Sequence, residues 1–459
     1  YQEDKACEAA CKQDVRKGKA VIRCQLDDQV KEYEVEIEKI NLSSKDNKGM
    51  EIHVTDPELL EKAGYREFDP KASYKAGDKV YWNNRKKALA AATFGTLGME
   101  EGLRMNGAHI DSPRLDLKPN PLFEQADIAY LKPHYYGGIR KYQWGATPLA
   151  MHGVVGKKNG EMVEISIGEK EGEPQFCITD LLPHLASEQN GRKLGEGLKG
   201  EELNIIVGSI PFMGEDDEKI KTPVKLMAMK LLNEMYGITE KDFTRAEIEM
   251  VPAYKAVDVG LDRSLVGAYG QDDRVCAYTA LMAETETKAP AHTTLTILAD
   301  KEEIGSAGNT GLNSDFVLHI IEDLCQTAGA DLKTVLRASL CLSSDVNAAY
   351  DPTFASVYEE RNSSAINKGC VLTKYTGARG KSGSNDASAE TMAKVIQIMD
   401  ENGVYWQTGE LGAVDVGGGG TIAYILGNYN MQVIDSGVAV LSMHAPWEVT
   451  SKADVYEAY

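Results

Sequence analysis

The sequence predicts an α/β fold interrupted by a β-rich insertion. Short aliphatic runs such as LTILAD, RASLCLSSD and GVAVLSMH have the length and composition of strands, and they alternate with longer helical patterns. This alternation predicts a sheet with helices on its faces. The pattern changes between about residues 117 and 257, where strand patterns dominate. We therefore expect an α/β domain made of residues 1–116 and 258–459, with residues 117–257 inserted as a β-rich domain.

Individual elements follow from local patterns. In the insertion, PLAMHGVVG and LNIIVGSIPF are strand-like, and KKNGEMVEISIG combines an Asn-Gly turn signal with alternating apolar residues, which predicts a hairpin. One helix is expected near Val224 to Tyr236. After the insertion, DDRVCAYTALMAETET and DASAETMAKVIQIMDENG have helical spacing.

Length and charge limit the function classes. The 459 residues, with 42% hydrophobic content, suffice for more than one domain at about 150 residues each. A formal net charge of -20 opposes binding to nucleic acid and to anionic membranes, so we expect neither partner. No apolar run approaches the ~18 residues of a membrane span, and the first residues lack a signal-peptide pattern. We predict a cytoplasmic protein, although the first residue, Tyr1, leaves a processed start open.

The eight cysteines contain no CxxC pair and are spread along the chain. This spacing favours reduced, mostly buried thiols. Cys7 and Cys11 share a helical face, and we expect them to be inert as well.

Five short segments carry metal-capable side chains near the ends of predicted elements. Each has a structural alternative when taken singly: an Asp that opens a helix suits an N-cap, an SSD sequence suits a turn, and paired glutamates suit a solvated loop. The segments are GAHIDSPRLD with His109 and Asp111, GQDDRVCAY with Asp272 and Asp273, ADKEEIGS with Glu302 and Glu303, CLSSDVNAA with Asp345, and LSMHAPWE with His444.

Taken together, these side chains indicate a dinuclear metal site. Two histidines and at least three carboxylates suit two zinc-like ions that share a bridging carboxylate. A dinuclear hydrolase also needs an unbound carboxylate to accept a proton from water, and Glu302 and Glu303 could supply one role each. Asp111 lies two residues after His109, where it could accept the second imidazole N–H, and Gly305 would allow a sharp turn, as would Gly308.

The glycine-rich segment DVGGGGTIA does not fit a phosphate-binding loop. It lacks both the GK[ST] ending and the spacing of the dinucleotide fingerprint. Close approach of its backbone to a ligand or to another strand is the better interpretation, and Gly419 is therefore a candidate substrate-binding residue.

The motifs AHIDSP, DDR, DKEEIGS, SSDVNAA, GGGGTIA and LSMHAPWE, in this order, resemble the dinuclear metallo-aminopeptidases that include aspartyl aminopeptidase and vacuolar aminopeptidase I. The resemblance spans roughly Gly77 to Tyr459. It implies release of single N-terminal residues from peptides with a free N-terminus. It also implies two zinc ions per subunit, with cobalt or manganese as substitutes. The implied site residues are His109, Asp272 and Asp345 at one metal, Asp272, Glu303 and His444 at the other, and Glu302 as general base.

The resemblance further implies an assembly. The implied fold is a discontinuous α/β catalytic domain, with a mixed sheet flanked by helices, and an inserted β-rich dimerisation domain. Twelve subunits, built from dimers, would form a shell, and His184 of the insertion would reach the active site of the neighbouring subunit. Relatives selective for acidic residues carry an Arg-Tyr pair where this chain has GARGKSGSNDASAE. Arg379 and Lys381 supply nearby cations, but Ser382 stands at the Tyr position, so the preferred N-terminal residue stays open.

Two other functions compete with an aminopeptidase. A related dinuclear hydrolase, such as a carboxypeptidase or deacylase, could use the same metals on a different amide. An inactive assembly protein is the second alternative, and the presence of every proposed ligand and of the base argues against it.

Overall fold

The computed structural model describes residues 57–213 and 220–459 in full, and two earlier strands, Lys19–Leu26 (β1) and Gln29–Glu36 (β2), as a paired backbone. The predictions for the thiols of Cys7, Cys11 and Cys24 lie outside the described residues. The five cysteines described with side chains are free, as expected, and they are Cys177, Cys276, Cys325, Cys341 and Cys370.

The helices and strands follow the predicted division of the chain. The first part contains helix Glu58–Lys62 (α1) and strands Arg66–Glu67 (β3), Lys79–Asn84 (β4), Ala88–Thr93 (β5) and Arg104–His109 (β6). The insertion contains strands Arg114–Gln125 (β7), Ile128–Tyr136 (β8), Pro148–Gly156 (β9), Met162–Ile167 (β10), Phe176–Ile178 (β11), Ile205–Gly208 (β12) and Ala246–Pro252 (β13), and helices Ser187–Asn190 (α2) and Pro223–Tyr236 (α3).

The part after the insertion contains both strands and most of the longer helices. Its strands are Val257–Val259 (β14), Leu265–Ala268 (β15), Thr294–Ala299 (β16), Leu340–Ser343 (β17), Asn347–Ala348 (β18), Cys370–Thr373 (β19), Gly377–Ala378 (β20), Trp406–Thr408 (β21), Gly418–Gly419 (β22), Gln432–Gly437 (β23), Ala439–Leu441 (β24) and Glu448–Ser451 (β25). Its helices are Gln271–Glu286 (α4), Phe316–Ala328 (α5), Leu332–Ala338 (α6), Ala389–Asn402 (α7), Ala423–Asn428 (α8) and Lys452–Ala458 (α9).

A mixed nine-stranded sheet forms the centre of the α/β part, which confirms the predicted fold class. Its strand order is β21-β19-β23-β17-β6-β16-β5-β4-β3. The four central strands β23, β17, β6 and β16 run parallel, whereas β19 and β5 pair with them in the antiparallel sense. The central strands are almost fully buried because the sheet has helices on its faces, as parallel strands require.

The insertion forms an antiparallel sheet of its own. Its order is β10-β9-β11-β12-β8-β7-β13, and β13 also pairs with β9, so that the sheet closes on itself. A separate core that includes Trp144, Leu149 and Met250 fills it. The hairpin β9-β10 turns at Asn159-Gly160, where Gly160 has a φ of +87°, as the Asn-Gly signal predicts. The sheet runs from Arg114 to Pro252, close to the predicted insertion of residues 117–257.

A third sheet lies next to the central one, with the order β14-β15-β25-β24-β18. It contains the strand from GVAVLSMH, which the sequence suggested as part of the same parallel sheet as the other runs. That expectation is wrong for β24: strand β23 ends at Gly437, and the chain then enters the second sheet.

Buried Glu284 ties the end of helix α4 to the central sheet. Its carboxylate accepts hydrogen bonds from the hydroxyl groups of Tyr65, Thr93, Thr294 and Thr296, at 3.0, 2.7, 3.0 and 3.2 Å. Burial raises the pKa of Glu284, although these hydroxyl groups partly offset the effect. Across residues 57–213 and 220–459, every helix is too short or too polar to span a bilayer.

Candidate metal centre

The ends of three adjacent parallel strands place most of the predicted metal-binding residues. His109 is the last residue of β6, Glu302 and Glu303 follow β16 in a short 3-10 turn, and Asp345 follows β17. Because the carboxyl ends of parallel strands meet at one edge of a sheet, the four side chains lie together. Gly305, with a φ of +85°, ends the turn that carries the two glutamates.

Two further side chains reach this edge from other elements. Asp272 lies at the start of helix α4, but residue Gly270 occupies the N-cap position and no side chain caps the helix. Asp272 has non-helical dihedral angles and faces the two histidines, so the N-cap alternative is wrong. His444 follows β24 of the third sheet and has a φ of +65°, a backbone conformation that is strained for a residue other than glycine.

Metal-capable atoms from these side chains form three overlapping groups, each within 4.8 Å: His109 with Asp272 and Asp345, Asp272 with Glu303 and His444, and His109 with Glu302 and Glu303. The two oxygens of Asp272 face different histidines, with Oδ1 3.1 Å from His109 Nε2 and Oδ2 3.1 Å from His444 Nε2. Since zinc binds N and O ligands at about 2.1 Å, two ligands of one ion lie no more than ~4 Å apart. The separations within the first two groups fit this limit, with His109 Nε2 3.9 Å from Asp345 Oδ1 and His444 Nε2 3.4 Å from Glu303 Oε1.

The histidine hydrogen bonds leave both Nε2 atoms directed at the carboxylates. His109 Nδ1 lies 3.0 Å from the carbonyl oxygen of Asp111, and His444 Nδ1 lies 3.0 Å from that of Gly138. A carbonyl oxygen only accepts, so both Nδ1 atoms carry the proton and donate it. In the neutral ring, Nε2 then holds a lone pair, the form in which histidine binds a metal.

A second layer of carboxylates holds the ligands in place. Asp111 accepts the backbone N–H groups of Glu302 at 3.0 Å and Glu303 at 3.1 Å, and the hydroxyl of Tyr136 at 2.7 Å. The imidazole of His109 donates to the backbone carbonyl of Asp111, and the Asp111 carboxylate is farther away, at 3.4 Å.

Two buried acids that carry no role in the sequence prediction complete this layer. Glu448 accepts the N–H groups of Asp272 at 3.1 Å and His444 at 2.7 Å, and Asp273 accepts that of His109 at 3.2 Å. Glu448 stands in the motif LSMHAPWE, four residues after His444, and Asp273 adjoins a ligand, which are the signals available in the sequence. Tyr136 lies in the insertion, and its sequence gives no such signal.

The electrostatics of the group require a cation. Burial and the neighbouring Asp272 charge raise the pKa of Glu303 to about 8, and burial also raises the pKa of Asp345 and of Glu302. Burial lowers the pKa of His444, but Asp272 and Glu303 outweigh it and raise that pKa to about 10. These shifts show negative charge crowded where water is excluded, an arrangement that positive charge stabilises.

The residues fit zinc in their chemistry and in their unmet hydrogen bonds. Imidazole nitrogens and carboxylate oxygens are ordinary zinc ligands. Buried oxygens of Asp272 and Glu303 have no hydrogen-bond partner; Asp272 Oδ1, although 3.1 Å from His109 Nε2, is one of them because the angles are unsuitable. Buried polar atoms without partners are rare in native proteins, and a bound ion explains these.

Comparison with known proteins agrees with this chemistry. Residues 46–459 match the model of the family described as aminopeptidase I zinc metalloprotease (M18). The chain belongs to this M18 family. It is a zinc aminopeptidase that hydrolyses peptide bonds, and the carboxypeptidase, deacylase and inactive-protein alternatives are not favoured. A second family model, SpoIVB peptidase S55, matches residues 1–65, most of which lie outside the described residues.

M18 relatives match over most of the chain. The probable M18 family aminopeptidase 1 of Clostridium acetobutylicum is 52% identical over 406 residues, covering 86% of each chain. The crystal structure of the M18 aminopeptidase from Thermotoga maritima has 48% identity and a TM-score of 0.84, and covers 87% of this chain and 88% of that one. The S. cerevisiae mApe1 dodecamer, at 23% identity and a TM-score of 0.68 over 87% of this chain and 89% of that one, shares the fold.

The remaining predicted residues lie outside the three metal-capable groups of the M18 centre. His184 is exposed on a 3-10 turn of the insertion, Pro183–Leu185. Lys381 pairs with Asp386 at 2.9 Å and lies over the ring of Tyr375, whereas Arg379 is exposed and has no ion pair among the described residues. Arg379 and Lys381 line a small cavity of about 40 Å³.

Gly419 lies in strand β22, which pairs with β20. A Cβ atom at the adjacent Gly418 would lie 2.3 Å from the carbonyl oxygen of Gly377, so the backbones meet too closely for a side chain. This geometry confirms the interpretation of DVGGGGTIA as a close approach to another strand.

Proposed function

We propose that the chain releases single N-terminal residues from peptides and uses two zinc ions per subunit. His109, Asp272 and Asp345 would hold one ion, and Asp272, Glu303 and His444 the other, with cobalt or manganese as substitutes. The observation that carries this proposal is the position of Asp272, whose two oxygens lie 3.1 Å from the Nε2 atoms of two different histidines. A carboxylate in this position is suited to bridge two ions.

Exposure and charge support separate roles for the paired glutamates. The Glu303 side chain is 4% exposed and lies against His444, as a ligand would, whereas that of Glu302 is 17% exposed. When bound, zinc supplies a Lewis acid that polarises the scissile carbonyl and lowers the pKa of water. Glu302 accepts the proton of the attacking water and passes it to the leaving amine. Asp111 positions both glutamates through their backbone N–H groups.

The substrate pocket is proposed to lie near Arg379, Lys381 and Gly419. Since Lys381 is already paired with Asp386, Arg379 is the cation that could meet an acidic substrate side chain. Ser382 replaces the tyrosine found in relatives selective for acidic residues, so the pocket does not by itself favour an acidic over a neutral N-terminal residue.

A homo-oligomer built from dimers is proposed because the insertion exposes many large apolar side chains. Contiguous apolar patches of this kind mark interaction surfaces. A dodecamer, the assembly of the S. cerevisiae relative mApe1, is the proposed final form. The exposed apolar residues of the insertion include Met162, Leu181, Leu182, Leu185, Leu194, Ile210, Met213, Leu226, Leu231 and Met235.

His184 lies within this exposed surface, between Leu182 and Leu185. We infer that it crosses to the neighbouring subunit and donates a hydrogen bond to the oxyanion of the substrate. Free thiols and a net charge of -20 support a cytoplasmic location without nucleic-acid or membrane partners.

Zinc titration of metal-free protein, combined with a panel of aminoacyl reporter substrates, tests the main proposal. We expect binding of about two equivalents per chain, and turnover only with metal and only on substrates with a free α-amine. Full turnover without metal, or cleavage of the acylated substrates, contradicts the proposal.

Subunit complementation tests His184. A His184→Ala variant and a Glu302→Gln variant should each be nearly inactive, the first by roughly 10² to 10³ if one oxyanion donor is lost. After subunit exchange, each site with Glu302 intact can receive His184 from its neighbour, so activity should reappear. No recovery after proven exchange would show that His184 does not act across the interface.

A further inference from the structure

Three consecutive residues of the insertion, Tyr136, Gly137 and Gly138, lie against the metal centre. We call them the YGG loop. The Tyr136 hydroxyl donates to Asp111 Oδ2 at 2.7 Å, and the Gly138 carbonyl accepts the Nδ1 proton of His444 at 3.0 Å. Gly137 has a φ of +74°, and a Cβ atom there would lie 3.2 Å from Glu303 Oε2. One short segment therefore contacts the supports of both proposed metal positions.

The Asp111 carboxylate depends on this loop for its strongest partner. Its other donors are the backbone N–H groups of Glu302 and Glu303, at 3.0 and 3.1 Å, and the Tyr136 contact is the shortest of the three at 2.7 Å. Asp111 is buried, so no water replaces a lost donor without rearrangement. The orientation of Asp111 in turn fixes the turn on which both glutamates stand.

Tyr136 is itself fixed by the inserted sheet. The guanidinium of Arg114 lies 3.8 Å from the centre of the Tyr136 ring. Arg114 is held by Asp116 at 2.8 Å and by Glu249 at 3.1 Å, on strands β7 and β13. A planar cation held at both ends in this way gives the ring a defined position, because cation–π contacts favour one face of the ring.

We propose that Tyr136 is a positioning residue for the reaction: through Asp111, it holds the turn that carries Glu302 and Glu303. The inference rests on the proposed roles of these two glutamates. It gives the insertion a second task within its own chain, since the closed sheet of residues 114–252 carries the support of the metal centre as well as the proposed subunit interface.

The variant Tyr136→Phe removes one hydroxyl and keeps the ring over Arg114. Loss of an outer partner of a metal centre commonly costs 10- to 100-fold in metal affinity or activity. We expect kcat to fall by roughly that factor, with KM within about twofold of the unchanged protein, and zinc to be lost to a competing chelator at lower chelator concentration. The matched control is Tyr135→Phe: Tyr135 is the preceding residue of β8, is 41% exposed and makes no contact with Asp111, so neither quantity should change.

A double-mutant cycle separates positioning from a general loss of structure. If Tyr136 acts through Asp111, then adding Tyr136→Phe to Asp111→Asn should lower kcat by less than about twofold further. Equal losses in both backgrounds would overturn the proposal, as would a Tyr136→Phe enzyme with normal kcat and normal zinc retention, or one altered only in KM.

Thermal unfolding of each variant, followed with and without zinc, provides the control for folding. If Tyr136→Phe does not fold, Arg114→Lys takes its place: it keeps the charge but removes the planar group from the ring, and it should lower kcat and zinc retention in the same direction. The chelator competition needs no substrate. A protein that binds zinc but releases no amino acid would therefore contradict the proposed function, while the zinc retention of Tyr136→Phe would still test this inference.

Discussion

Exchanging the paired glutamates one at a time tests the assignment of the metal centre. Glu302→Gln keeps the size of the side chain and leaves the backbone N–H to Asp111 in place. The Glu302 side chain is 17% exposed, and its nearest histidine nitrogen, His109 Nε2, is 4.0 Å away, at the limit of the group. We therefore expect the variant to fold normally and to retain both zinc ions.

The expected loss is in the chemical step. General-base catalysis contributes typically 10²- to 10⁴-fold, so kcat should fall by that factor, equivalent to about 3–5 kcal/mol of barrier. Glu303→Gln is the matched control, because it makes the same chemical change one residue away. Its carboxylate has a buried oxygen without a hydrogen-bond partner, 3.4 Å from His444 Nε2, so its loss should weaken zinc at the position shared with Asp272 and His444.

Zinc content after dialysis and steady-state kinetics at saturating zinc distinguish the two variants. Glu302→Gln should contain two equivalents and stay inactive, whereas Glu303→Gln should contain about one and regain part of its activity as zinc is added. The reverse pattern, with zinc lost from Glu302→Gln and kept by Glu303→Gln, would refute the assignment and make Glu303 the base.

Two further predictions concern buried acids. Glu448→Gln should lower zinc affinity about 10- to 100-fold in chelator competition, because Glu448 holds the backbone of both Asp272 and His444; unchanged affinity would contradict this. Glu284→Leu should destabilise the fold by roughly 3–6 kcal/mol in urea unfolding, since three fully buried hydroxyl groups lose their acceptor at 1–3 kcal/mol each. Glu284→Gln should cost much less. The folded-state pKa of Glu284 is raised, so its contribution to stability falls as the pH rises above its unfolded value of about 4.3, and the Gln variant should lose this pH dependence.

The sequence predicted the part of the centre that local motifs encode. His109, Glu302 and Asp345 each follow an aliphatic run, and strands of such composition become the parallel centre of a sheet. The strand ends then meet without further information, because neighbouring parallel strands share an edge. The same reasoning predicted the hairpin at Asn159-Gly160, since its turn type needs residues that accept a positive φ.

The contacts between separate sheets could not be predicted in this way. Strand β24 has the same composition as β17, and nothing in its residues indicates that it pairs with β18 and β25 in another sheet. Asp272 stands where an N-cap is common, and only the position of the two histidines shows that its side chain turns elsewhere. The link from Tyr136 to Asp111 joins residues on different sheets, and no spacing along the chain encodes it.

The metal centre therefore couples parts of the fold that share few other constraints. The central sheet supplies His109, the start of α4 supplies Asp272, the third sheet supplies His444, and the inserted sheet holds Asp111 and His444 through the YGG loop. Because these groups repel one another when the carboxylates are charged, the arrangement is costly without positive charge between them. Zinc binding would offset that repulsion, and its free energy would stabilise the contacts between sheets as well as the site. The residues that orient the ligands, Glu448 and Asp111 above all, thus matter to the assembly of the chain for the same reason that they matter to its chemistry.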